Sequence, residues 1–125
     1  MPRFKAVAPI SGEDINALPV KELASAINFF EKILGFSPSR QNNSAVVLIR
    51  DHVRIGLIQN PNHEPGKAGS IAFAVDDLQA MHHELSAKGA NPGAFGIDRW
   101  GGRQYRTFFV RENDNGYCFC FHSPA

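Results

Sequence analysis

The side chains best suited to bind a metal crowd into "YCFCFH", residues 117 to 122, just after the turn formers "NDNG". If this run is a strand, its side chains alternate, and Cys118, Cys120 and His122 share one face. Two thiols and an imidazole are the donor types of a zinc or other soft-metal site. The spacing argues against one. Same-face neighbours on a strand stand roughly 6–7 Å apart, farther than thiolates on a single tetrahedral ion, so the strand would have to distort. Two small buried side chains and a terminal histidine near solvent require no distortion. For the same geometric reason the two cysteines cannot bridge one another without strain, and the chain reads as a reduced, cytoplasmic protein.

The remaining candidates are scattered. His82 and His83 are consecutive, so on a helix they point in different directions and cannot act as an i, i+4 pair; they read as solvated helix residues. His63 and Glu64 lie in "NPNHEPGKAG", residues 60 to 69, and would touch a ligand only if that loop folded over a pocket. No acid/base pair is identifiable, so no catalytic residue is assigned. Trp100 is the sole tryptophan. It sits in the polar "DRWGGR", where the following glycines let backbone or ligand approach closely. Such an indole either lines a pocket or interface, or anchors its loop to the core.

The elements that must position these residues repeat. At 125 residues, with 43% hydrophobic and 20% charged side chains, the chain is expected to form one domain, 1–125, with a substantial core. A net charge of +1 steers it to neither nucleic acid nor membranes, and there is no spanning apolar run or signal-peptide pattern. The pattern predicts a short strand over 14–20 and a helix over 21–34, its apolar stripe being Leu23, Ala26, Ile27, Phe30 and Leu34, with Gly35 as a left-handed cap. Strands follow at 45–50 and 52–59. The order then restarts with a strand at 70–75 and a helix over 76–89, N-capped by Asp76 or Asp77 and ended by Gly89. A hairpin pairs 104–112 with 117–122. The two halves match at an offset of 55 residues, Val20 with Val75, Glu22 with Asp77, Leu23 with Leu78 and Phe30 with Leu85.

The predicted fold is therefore α+β: two βαβββ modules, about 14–60 and about 69–122, forming a curved mixed sheet around a cavity with helices outside. Alternation assigns Leu18, Val20, Ile55, Leu57, Ile71, Phe73, Phe119 and Phe121 to the helix-covered face. The opposite face carries Ile15, Ala17, Gly56, Ser70, Ala72, Cys118 and Cys120, mostly small, which leaves open volume for a ligand or for a second packed layer.

Three blocks, "LPVKELASAINFFEKILGF", "SIAFAVDDLQAMHHELSAKGA" and "RWGGRQY" followed by "RENDNGYCFCF", frame nearly the whole chain from residue 14 to 121. In combination they resemble the vicinal oxygen chelate superfamily, the glyoxalase/bleomycin-resistance/dioxygenase group. "AVVLIRDHVRIGLIQ" and the Trp-Gly before the last hairpin look most like its bleomycin-resistance branch. The resemblance implies four metal-ligand positions in metal-dependent members, commonly His, Glu, His and Glu, which fall here on Ile15, Gly56, Ser70 and Cys120. Two of these have no donor side chain, Ser70 is a poor ligand, and Cys120 alone cannot hold an ion. The expectation is thus no metal and no cofactor.

The resemblance also places the Trp-Gly segment at a dimer groove, where an indole can stack on a flat ligand. It implies a metal-free, bleomycin-resistance-like protein that binds a small molecule and works as a homodimer. The expected ligand contacts are Trp100, Phe36, Tyr105, Arg103, Arg54, Ser70 and Cys120. Bleomycin is cationic and suits a chain of charge +1 poorly; an aromatic or anionic ligand would suit Arg54, Arg103 and Arg106 better. The alternatives from other classes are a lactoylglutathione-lyase-like enzyme and an interaction module with a vestigial pocket.

Overall fold

The computed structural model describes residues 2–125. Nine strands and two helices run in the order β1 (Phe4–Pro9), β2 (Leu18–Val20), α1 (Leu23–Lys32), β3 (Ser37–Gln41), β4 (Ala45–Arg50), β5 (Val53–Gln59), β6 (Ser70–Val75), α2 (Leu78–Ala87), β7 (Gly96–Trp100), β8 (Arg103–Arg111) and β9 (Cys118–Pro124). Both helices form on the predicted stripes. Leu23, Ala26, Ile27 and Phe30 are the buried residues of α1, and Leu78, Met81 and Leu85 those of α2. The Asp77 carboxylate caps α2 by accepting the Ala80 N–H at 3.0 Å. The chain leaves α1 through Gly35 at φ +74°, a conformation that glycine adopts without steric penalty.

Each repeat builds the same four-stranded sheet. In one the order is β2-β5-β4-β3, and in the other β6-β9-β8-β7, extended at the β6 edge by β1. The first strand of each repeat pairs in parallel with the last, Leu18 beside Leu57 and Ile71 beside Phe119, and the other pairings are antiparallel. The curved sheet of the sequence reading is thus two mixed sheets. Residues 14–17 form a turn rather than the start of a strand, because Asp14 accepts the Asn16 N–H on its carboxylate and the Ala17 N–H on its carbonyl, both at 3.0 Å.

The inner faces of both sheets and both helices close on a single core. All eight bulky residues assigned to the helix-covered face are buried. Phe4, Phe30, Phe36, Phe73, Phe119 and Phe121 interlock there with ring centroids 5.1–5.9 Å apart, mostly edge to face or tilted. Arg50 locks the rim of this core. Its guanidinium donates to the Leu34 carbonyl at 2.7 Å, to both Glu84 oxygens at 2.8 and 3.1 Å and to the Pro2 carbonyl at 3.2 Å, and lies 4.5 Å over the Phe4 ring. One side chain from β4 therefore ties together the end of α1, the middle of α2 and the start of β1.

Candidate functional site: a small-residue groove walled by Trp100

Register determines what the outer face of the five-stranded sheet carries. Ala8, Ala72, Cys120 and Phe109 lie side by side across β1, β6, β9 and β8. One step along the strands lie Ala6, Ala74, His122 and Thr107. Directly paired residues project from the same side of a sheet. Small side chains in the middle and larger ones on β8 and β7 leave a groove of about 670 Å³, with Ala72, Ala74 and Cys120 on its floor and Asp98, Trp100 and Phe109 toward one wall. Ile10 and the end of β1 border the other side.

Three rings shape the wall. Trp100 is 41% exposed and lies flat against Tyr105, centroids 3.9 Å apart and planes 7° from parallel. His122 meets both edge-on, at 5.2 and 5.5 Å and 87°. The stack is set by the β7–β8 hairpin, which pairs Trp100 with Arg103 and Asp98 with Tyr105. Beneath it the buried Thr107 hydroxyl donates to one Asp98 oxygen at 3.0 Å. His122 Nδ1 is buried without a hydrogen-bond partner among the described residues. Burial lowers the imidazole's pKa, so it is neutral at physiological pH. Burial, then the charges of Asp98 and Cys118, push the Cys120 thiol up to about 11. It is an uncharged floor residue, neither a thiolate nucleophile nor a ready metal ligand.

Of the residues expected to contact a ligand, the structure brings Ser70, Cys120 and Trp100 into the groove lining. Tyr105 backs Trp100, and Arg103 sits opposite Trp100 at the hairpin tip, exposed. Neither of these two lines the groove, and two more stand elsewhere in the fold. Phe36 is a core residue, 2% exposed and packed on Phe4, Phe30 and Phe73. Arg54 projects from β5 in the four-stranded sheet, opposite Ile49. Arg106, next to the groove in sequence, stands on the other face of β8 with its guanidinium 4.3 Å over the Phe95 ring. Asp98 and the β1 alanines are groove residues that the sequence reading did not select. The alternation of "IDRW" could have linked Asp98 to Trp100, had β7 been recognised as a strand.

The isolated histidines also have structural partners. His63 Nε2 lies 2.8 Å from the Asn115 carbonyl and its ring stacks on Tyr117, pinning the 60–69 loop away from the groove. His82 is not simply solvated, since its Nε2 lies 2.9 Å from the Gly93 carbonyl and its ring stacks on Phe95 at 4.7 Å.

The four positions where the resemblance would put metal ligands do not fit an ion. Gly56 donates its N–H to the Ile15 carbonyl at 2.9 Å, and a Cβ there would strike the Asn16 carbonyl oxygen. That position has no room for any ligating side chain, and Ile15 packs against the core. Only Ser70 and the neutral Cys120 remain, an inadequate donor set.

A pair of βαβββ repeats is the architecture of glyoxalase-like proteins. The chain belongs to the Glyoxalase/Bleomycin resistance protein/Dioxygenase superfamily, whose sequence model matches residues 13–121. Among solved structures it is similar to a bleomycin resistance determinant encoded on the transposon Tn5, with a TM-score of 0.75 and 18% identity over 91% of this chain and 98% of that one. A bleomycin-binding protein complexed with bleomycin gives a TM-score of 0.75 and 17% identity, covering 92% of this chain and 100% of that chain. The bleomycin-binding protein of Streptomyces verticillus, complexed with copper(II)-bleomycin, gives a TM-score of 0.64 and 20% identity over 86% and 92%. At these identities the likeness is one of fold. Among curated proteins none matches the chain in sequence. Among the described residues no helix is long and apolar enough to cross a membrane.

Proposed function

We propose that this protein is a metal-free, bleomycin-resistance-like small-molecule-binding protein that works as a homodimer. The observation that carries the reading is the groove itself. Its volume falls in the range of drug-sized sites, and its lining is mainly apolar with a few convergent polar groups. Trp100 is held by Tyr105 with part of its surface open, so a flat ligand meets a wall that needs little ordering on binding. The bleomycin complexes of two fold neighbours support binding rather than turnover, as an argument by analogy. Exposed Phe109 in the groove and Ile58 on the outer face of the other sheet support a partner subunit that covers apolar surface.

The test is a thermal-shift screen of antibiotics, aromatic acids and amines, and thiols, read together with Trp100 emission, light scattering and elemental analysis. A specific ligand is expected to raise the melting temperature and to change the emission of the sole indole. Scattering should give twice the chain mass at micromolar concentration. A stoichiometric metal that is lost on Cys120→Ser would refute the metal-free reading, and a monomer would refute the dimer.

A further inference from the structure

We propose that the polar end of the groove selects flat aromatic ligands carrying a cationic or N–H-donating substituent, which is received by Asp98 and His122. This rests on the binding reading above and narrows it to a ligand class.

The argument starts from unused hydrogen-bonding capacity. Asp98 uses one oxygen to accept from Thr107 and lines the groove, while its other oxygen has no protein donor among the described residues. Thr107 lies directly beside His122 across the β8–β9 ladder, so the carboxylate and the imidazole border the same spot. His122 Nδ1 is buried and unpaired there. With the proton on Nε2 it is a second acceptor beside a carboxylate. The buried imidazole nitrogen left without a donor is unfavourable, and a ligand N–H removes that penalty; Asp98, which is exposed, adds a carboxylate that accepts from the same substituent.

Most of the cations that could favour an anion stand outside the groove lining, and the one that belongs to it is engaged. Arg106 lies over Phe95 on the opposite face, and Arg54 belongs to the other sheet. Arg99 is itself a groove-lining residue, but its guanidinium is held across the strand pair by Gln104, whose amide, oriented to accept, takes it at 2.6 and 3.1 Å. Arg103 is exposed at the hairpin tip, outside the groove lining. Asp98 is therefore the groove-lining charge that keeps an oxygen free for a ring lying along Trp100, while Arg99 is held by Gln104. An aromatic amine or amidine meets that arrangement; an aromatic carboxylate is repelled by it.

Three tricyclic probes of similar size separate the effects by calorimetry: proflavine, cationic at neutral pH; acridine; and acridine carboxylate. Proflavine should bind most tightly, by about tenfold over acridine, with the carboxylate weakest, as one charge-assisted hydrogen bond implies. Asp98→Asn keeps an oxygen for Thr107 and removes the charge. It should abolish the preference for proflavine over acridine, with an unaltered melting temperature confirming the fold. His122→Phe should also weaken proflavine selectively. Trp100→Ala should weaken all three probes together. If all three bind alike and all respond to Trp100→Ala, the groove reading stands and the donor selectivity is refuted. Tighter binding of the carboxylate, or an Asp98→Asn protein that still prefers proflavine, refutes it as well. Failure of every probe to bind overturns both readings.

Discussion

Trp100 has one face on Tyr105 and its other surface toward a groove, so its contribution should appear in binding more than in stability. Trp100→Ala is expected to weaken a stacking ligand by about 1–1.5 kcal/mol beyond the area lost. The melting temperature should move far less than the roughly 3–5 kcal/mol that removal of a core tryptophan entails. Calorimetric affinity and thermal unfolding of the same variant check both halves. Alternation alone placed Ser70, Ala72, Cys118 and Cys120 on one face, and their small size indicated open space. Phe36 was illegible for a local reason: after the left-handed Gly35 its N–H returns to the Phe30 carbonyl at 2.9 Å, which swings the ring into the core. Arg54 alternates correctly to the outside of its strand, but which sheet meets the groove depends on pairing that no local pattern encodes.

The helices are the most legible elements, because a buried stripe and a terminal glycine agree in each, and α2 adds the Asp77 cap. α2 begins and ends 55 residues after α1, at 78 against 23 and 87 against 32, matching the offset read from the sequence. Strands β3 and β7 carry no sequence signal because every residue in them is exposed, leaving no alternation to detect. β1 was equally silent, with Phe4 its one buried residue. The close approach of β5 to the 14–17 turn gives an element-scale prediction. Gly56→Ala would drive a methyl into the Asn16 carbonyl and should destabilise the fold by about 1–3 kcal/mol, as overpacking does. Gly66→Ala, where an added Cβ meets open space, is the matched control and should be nearly neutral. Denaturant midpoints of the two variants compare them directly.

At the scale of the molecule, the Arg50–Glu84 pair predicts a pH response. Burial raises the Glu84 pKa, but the hydrogen bond and charge of Arg50, with help from Lys88, outweigh it and leave the carboxyl below its usual value of 4.5. A carboxyl lowered in the fold stabilises fully above its unfolded pKa, and that stabilisation is lost as pH falls through the folded value. Melting temperatures measured from neutral pH down to about pH 3 should fall, and Glu84→Gln should flatten this acid limb. At neutral pH the same variant should be less stable by roughly 3 kcal/mol, since it strips the carboxylate from a largely buried guanidinium. Burial holds the Glu112 carboxyl high, which acts in the opposite sense. The difference between variant and parent, rather than the raw curve, therefore isolates Glu84. The shared core has a further consequence. Cut between β5 and β6, the chain would yield two halves, each with a helix, a four-stranded sheet and half of an aromatic interior facing water, the first also carrying β1 without its β6 partner. Neither half could remain dissolved alone, yet a second copy of itself would offer the surface it had lost. If this chain arose by doubling of a shorter gene, the doubling replaced a chance encounter between two molecules with a covalent tether, and made folding independent of how many copies a cell contains.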